Sequence, residues 1–268
     1  MQPAEFFSYH APALEVQEAR HNLILAILAR AARESVQDVV TWSLGAPGQC
    51  AAMSLGWQIV LGELDTARCR ELADITADVA YPGVIGPDRT AQWFVERANA
   101  LGLAFLDPVR HHIQVLIEPP KYPGAAGHAR PVTAEDAFLF ADWMVAFAAE
   151  AVPHDPPPVR ERLERAAGEG RHLFWIVDGE PVSVAGIGRR TRNAVAINGV
   201  YTPAALRGRG YAGSVTAAVV ERAYAEGRTI ACLYTDDANP FSNRCYAKIG
   251  FRPVCASVNF PKRLPAGA

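Results

Sequence analysis

The stretch Asn198-Gly199-Val200-Tyr201-Thr202-Pro203-Ala204-Ala205-Leu206-Arg207-Gly208-Arg209-Gly210-Tyr211-Ala212-Gly213 decides how this chain is read. A β-rich run, Ala194–Tyr201, ends at Thr202. A turn with two glycines and two arginines follows. A helical pattern then runs from Gly210 to Ala225, ahead of Gly227, a natural C-terminal stop. A helix N-terminus leaves its first N–H groups unpaired and carries a partial positive charge. Glycine lets the backbone close on a pyrophosphate with no Cβ in the way. Arg207 and Arg209 add charge that cannot be titrated away. Together these features describe a diphosphate site. Two other readings share the residues. One is a plain turn with solvated arginines. The other is a dinucleotide fold, because Gly208–Gly213 spells G-x-G-x-x-G and a later strand ends in Asp236. Two facts oppose the dinucleotide reading: Pro203 to Arg207 intervene between the strand and the first glycine, and a hairpin rather than a βαβ unit comes before.

Downstream, Thr229–Thr235 reads as a strand, Asn239–Ile249 as a helix stopped by Gly250, and Phe251–Phe260 as a closing strand. Upstream, Phe174–Val177 and Val182–Gly188 flank Asp178-Gly179, a hairpin signature. Val159–Ala167 is a short charged helix, and Thr133–Ala151 a longer one with Thr133 and Asp136 as possible caps. This half therefore runs α-α-β-β-β-α-β-α-β. The first half is a mixed pattern: a helix at Ala19–Glu34, a hairpin-like Val39–Leu44 and Cys50–Leu61, helices at Thr66–Tyr81 and Arg89–Gly102, and a strand at His112–Ile117. The run Pro119-Pro120-Lys121-Tyr122-Pro123-Gly124-Ala125-Ala126-Gly127 punctuates the chain between them, which places domains at 1–126 and 127–268. His111 and His112 are adjacent, so on a strand they point to opposite faces and read as surface histidines, not a metal pair.

Composition narrows the class. The 268 residues, half of them hydrophobic, suffice for a sizeable core, and a net charge of −2 gives no basic excess for nucleic acid. The apolar run Leu23–Ala29 is too short to span a bilayer, which takes about 20 residues. Glu5, Glu15 and Glu18 lie where a signal peptide would be basic, so no signal peptide and no membrane partner are expected. Five cysteines without a CxxC pair read as reduced thiols of a cytoplasmic protein, and no motif frames any of them as a nucleophile.

At this point the residues resemble the GCN5-related N-acetyltransferase (GNAT) family. Arg207-Gly208-Arg209-Gly210-Tyr211-Ala212 fits the family's Arg/Gln-x-x-Gly-x-Gly/Ala phosphate motif, and Asn239 through Phe251 is similar to its Asn…Tyr-x-Lys-x-Gly-Phe signature. The resemblance covers roughly 130–260. It implies an α/β (α+β) GNAT fold, a mixed sheet whose fourth and fifth strands splay apart. It implies acetyl-CoA as acyl donor, no metal, and a small-molecule amine as acceptor. Val200 and Thr202, on either side of Tyr201, would then offer main-chain groups to the pantetheine arm. The backbone of Arg209 to Ala212 would hold the pyrophosphate, with Arg207, Gly208, Gly210 and Tyr211 shaping the loop, and Asn239 would touch the cofactor near the splay. Tyr246 would lie by the thioester sulfur, where a phenol can give the departing thiolate a proton. Without the resemblance Tyr246 reads equally as a core tyrosine packed with Phe251. Many relatives carry a glutamate base on the fourth strand, but Ala194–Tyr201 contains no acid. Asp236 and Asp237 are the nearest alternatives and read equally as helix caps. The first half resembles a degenerate copy of the same fold, around Pro82-Gly83-Val84 and Trp93-Phe94, that helps wall the acceptor pocket. A catalytically idle acyl-CoA-binding module and a dinucleotide-dependent oxidoreductase stay open.

Overall fold

The computed structural model describes residues 1–34 and 36–263. In chain order the elements are α1 (Pro3–Glu15), α2 (Asn22–Glu34), β1 (Val39–Ser43), β2 (Cys50–Ser54), β3 (Ile59–Leu61), α3 (Thr66–Ile75), β4 (Gly83–Pro87), α4 (Asp88–Ala100) and β5 (Val109–Leu116). There follow β6 (His128–Pro131), α5 (Ala137–Ala151), α6 (Arg160–Ala166), β7 (His172–Val177), β8 (Glu180–Arg190), β9 (Ala194–Tyr201), α7 (Tyr211–Ala225), β10 (Ile230–Asp236), α8 (Pro240–Ile249) and β11 (Arg252–Pro261).

The chain forms two compact units. The first holds Met1–Ile113, Asp236–Ala238 and the residues from Val254 on; the second holds Gln114–Thr235 and Asn239–Pro253. The expected limits of 1–126 and 127–268 differ from this division. In addition, the expected closing strand of the second half serves elsewhere: Ser257–Pro261 pairs antiparallel with β4, so it completes the first unit's sheet.

In the first unit the strands run β1-β2-β3-β4-β11, antiparallel except for the parallel pair β3–β4. Side chains alternate across this sheet as the pleat requires. Cys50, Ala52 and Val60 pack with Phe6, Leu14, Ile24 and Leu28 of α1 and α2, whereas Ala51, Met53, Ile59 and Leu61 pack with Leu72 of α3 and Phe94 of α4. Both faces are covered, which is why β2 reads as a continuous small apolar run with no polar alternation. The helix α1 is absent from the sequence reading; Pro3 at its first turn and the reciprocal Gln2–Glu5 capping box start it, and it runs through Pro12.

The second unit's strands run β10-β9-β8-β7-β6, antiparallel except for β9–β10. Leu173, Trp175, Ala185, Ile187, Val195 and Ile197 face α7, while Phe174, Ile176 and Val184 face Phe140 and Met144 of α5. The hairpin turn Asp178-Gly179 lies where expected, with φ of 49° and 86°, the left-handed pair that a two-residue turn demands. Short β4 and β6 escape the sequence reading, since strands of five and four residues carry too little periodicity.

Candidate active site

The site begins where β9 leaves its neighbour. The β9–β10 ladder holds only from Ala194 to Ala196, opposite Ile230 to Cys232. From Ile197 on, β9 has no partner on that side among the described pairings. A bulge against β8 sits at the same place: the register shifts between Val184/Gly186, opposite Tyr201/Asn198, and Gly199 takes φ of +61°. The Asn198 side-chain oxygen accepts the Gly199 N–H at 2.8 Å and fixes the kink. A bulge bends its strand and increases the local twist, which carries β9 away from β10. The strand's end is then pinned. Ser183 Oγ donates to Tyr201 O at 2.9 Å and lies 2.8 Å from Thr202 Oγ1.

The loop that follows is held by Arg207. Its Nε donates to Thr202 O at 2.9 Å, its Nη2 meets Glu150 Oε2 at 2.6 Å, and its guanidinium lies over the Tyr201 ring. Arg207 therefore braces the loop, and its charge is already answered by Glu150. Gly208 and Gly210 take φ of +80° and +85°, and Gly210 is the N-cap of α7. A glycine cap brings no side chain to satisfy the first turn. The first helical bond is Ser214 N–H to Gly210 O. The N–H groups of Arg209 through Gly213 donate to no described residue. Arg209 is exposed and makes no ion pair among the described residues. Tyr211 leans onto the α7-side core, and Ala212 is half-buried.

On α8, Asn239 is the N-cap and its side-chain oxygen accepts the Ser242 N–H at 3.1 Å. Only its amide nitrogen remains to reach a ligand. Tyr246 is half-buried against the core, with its ring 6.0 Å from Phe251 in an edge-on contact. Its hydroxyl hydrogen-bonds to no described residue. Burial pushes the phenol well above its ordinary range, and the neighbouring Cys245 acts in the same direction. Tyr246 thus stays protonated at any working pH. The structure shows the core packing with Phe251 that the plain reading of this residue expects.

Gln114 has no sequence signal and orients α8. Its Nε2 donates to Thr235 Oγ1 at 2.8 Å and to Asn243 Oδ1 at 3.0 Å, one helical turn before Tyr246. Asp236 closes a local turn on the Ala238 N–H at 2.8 Å, and Asp237 pairs with His112 Nδ1 at 2.6 Å, so neither caps α8.

The first unit repeats the succession with one chemical difference. There too three antiparallel strands lead through a helix to a parallel fourth, β1-β2-β3-α3-β4. The N-cap of α3 is Asp65, whose carboxylate accepts the Arg68 N–H at 2.8 Å. An anion is therefore already built in where α7 leaves donors open.

Residues 138–251 match the sequence model of the acetyltransferase (GNAT) family. No curated protein matches in sequence. Among solved structures, a Drosophila protein superposes with TM-score 0.71 at 13% identity, covering 98% of this chain and 96% of its own. A GCN5-related N-acetyltransferase from Kribbella flavida gives 0.60 at 16% identity, covering 90% and 96%. A tandem GNAT protein from the clavulanic acid biosynthesis pathway gives 0.54 at 13% identity, covering 90% and 88%. At such identities the likeness concerns the fold. Residues 138–251 are a GNAT-family acetyltransferase domain, and the mixed α/β architecture is the GNAT fold.

Proposed function

We propose that the protein is an acetyl-CoA-dependent N-acetyltransferase acting on an amine of a soluble small molecule in the cytoplasm. In this reading the second unit is catalytic and the first is a degenerate copy of the same fold. The observation that carries it is the open edge of β9 leading directly into the bare N-terminus of α7. A row of N–H donors without acceptors suits a pyrophosphate, which offers only acceptors. The free backbone between Ile197 and Thr202 suits the amides of the pantetheine arm. The first unit's α3 start, filled by Asp65, supports its reading as non-catalytic. The Asp65 carboxylate would repel a phosphate and competes for the same N–H groups.

The residues then divide the chemistry. The amine nitrogen forms a bond to the thioester carbon as the C–S bond breaks. Tyr246, held protonated by burial, gives its proton to the departing sulfur. No carboxylate stands on β9, so the amine's proton leaves through water. Fixing the two reactants along one strand edge supplies much of the acceleration, up to about 7–11 kcal/mol in ideal cases. No helix among the described residues is long and apolar enough to cross a membrane, and all five cysteines are free thiols, in keeping with a cytoplasmic site of action.

The test is a thermal-shift titration followed by thiol release. Acetyl-CoA at 100 times its dissociation constant should add about 2.7 kcal/mol of stability. Tyr246→Phe should keep that shift while thiol release with a panel of amines falls about a hundredfold. Stabilisation by NAD and none by acetyl-CoA would overturn the proposal. Binding without any amine-dependent thiol release would leave a binding module in place of an enzyme.

A further inference from the structure

We infer that Lys121–Ala125 forms the outer wall of the cofactor site and grips the phosphorylated nucleoside end of coenzyme A. The inference rests on the function proposed above. This proline- and glycine-rich run is a strap tied at both ends. The Lys121 N–H donates to Ile249 O at 2.8 Å, and the Tyr122 hydroxyl donates to Glu221 Oε2 on α7 at 2.6 Å. At the far end the Trp175 indole N–H donates to Ala126 O at 2.8 Å. Gly127, with φ of +115°, presses so closely on β7 that a Cβ there would lie 2.2 Å from Ile176 O.

Between the ties the strap crosses the start of α7. A Cβ on Gly210 would lie 3.4 Å from Ala125 Cβ and 3.6 Å from Pro123 Cβ. A Cβ on Gly213 would lie 2.6 Å from Pro123 Cγ and 3.5 Å from Cys245 Sγ. Gly213 falls outside the phosphate motif, yet it is the third glycine of the dinucleotide-like pattern. The strap accounts for it: only glycine leaves room for Pro123 beside the helix. The chance resemblance to a dinucleotide loop is thus a record of strap packing.

Connectivity of the ligand assigns the strap's partner. The pyrophosphate lies between the pantetheine arm and the nucleoside. With the arm along β9 and the pyrophosphate on the α7 N-terminus, the nucleoside continues past Gly210, which the strap flanks. The strap presents donors there. The N–H groups of Gly124 and Ala125 donate to no described residue, and Lys121 makes no ion pair among them. Donors without acceptors fit a phosphorylated ribose.

The experiment compares two acyl donors in the full chain: acetyl-CoA, and S-acetylpantetheine, which lacks the nucleotide. Gly127→Ala drives the strap's far end off β7, and Tyr122→Phe unties the strap from Glu221 at an exposed position. Each should raise KM for acetyl-CoA about tenfold, the equivalent of one lost charge-assisted contact, with kcat within about twofold. KM for S-acetylpantetheine should not change. Lys121→Ala should weaken acetyl-CoA and leave its 3′-dephospho form unaffected. Equal losses for both donors, or unchanged KM in all three variants of a wild type that does bind acetyl-CoA, overturn the inference alone. A wild type that binds no acetyl-CoA overturns the proposed function, and this inference with it.

Discussion

His172 should make the protein acid-sensitive in a defined window. It opens β7, its ring lies 4.6 Å from that of Phe140, and a Cβ built on Gly186 across the ladder would come within 2.0 Å of its Cδ2. Its Nδ1 is buried without a hydrogen-bond partner. Burial first, then the nearby charges of Arg171 and Arg222, push its pKa down to about 4 from 6.5. The folded-state value is depressed, so the unfolded chain takes up the proton first as pH falls. The contribution is therefore intact above about pH 6.5 and is lost progressively down to about pH 4. With about 1.4 kcal/mol per pH unit, the loss reaches about 3 kcal/mol at the acid limit and about 1 kcal/mol between pH 7.5 and 5.5. Urea unfolding of wild type and His172→Phe at those two pH values isolates the effect, because other titrating groups are common to both and cancel. The His172 imidazole resonances, assigned by their loss in His172→Phe, should also show almost no protonation at pH 5.5. Identical pH dependence in wild type and variant, or a His172 imidazole that titrates near 6.5, would refute the reasoning.

Two further outcomes follow from the glycines. Gly210→Asp places at α7 the carboxylate that α3 already has in Asp65. Left-handed strain of about 1 kcal/mol outweighs the few tenths that an Asp cap adds over Gly, so the melting temperature should fall by only a few degrees. A like charge about 4 Å from a phosphate at an intermediate dielectric costs about 2 kcal/mol, so calorimetry should find acetyl-CoA binding weakened about thirtyfold; unchanged affinity would remove the pyrophosphate from this helix. Gly186→Ala forces a methyl group against the His172 ring, which Phe140 backs, and should destabilise the second unit by about 1–3 kcal/mol. An unchanged melting curve would mean the ring moves freely.

Much of the second unit was legible because its signals are local. The Asp178-Gly179 turn, the glycine stop at Gly250 and the β9 run each depend on a few adjacent residues, and each lies where the pattern puts it. The splay of β9 was expected from the family resemblance alone; its mechanical cause, a bulge at Gly199, has no pattern that could be read beforehand. Arg207 was expected at the cofactor, but its partner Glu150 is 57 positions away on another element. Gln114 was invisible for the same reason, since its bonds to Thr235 and Asn243 span more than a hundred residues. Asp65 was legible as an acidic residue before a helix, yet only the parallel β3–β4 pair identifies that helix start as the counterpart of α7. The placement of β11 misled the reading most, because a closing strand carries no mark of which sheet it closes.

That placement bears on how the molecule comes into being. The outer edge of β4 is covered by residues close to the end of the chain, Ser257–Pro261. During synthesis the first unit's helices and β1–β4 emerge early, but the strand that covers β4 is made only after the second unit's residues. Until then β4 presents open backbone groups, the template for pairing with another chain. Most of the second unit, Gln114–Thr235, is by contrast made in one continuous run, and only α8 and its flanks follow. The half that appears first is completed only after most of the other half is made, so deleting Val254–Pro261 should harm the first unit before the second.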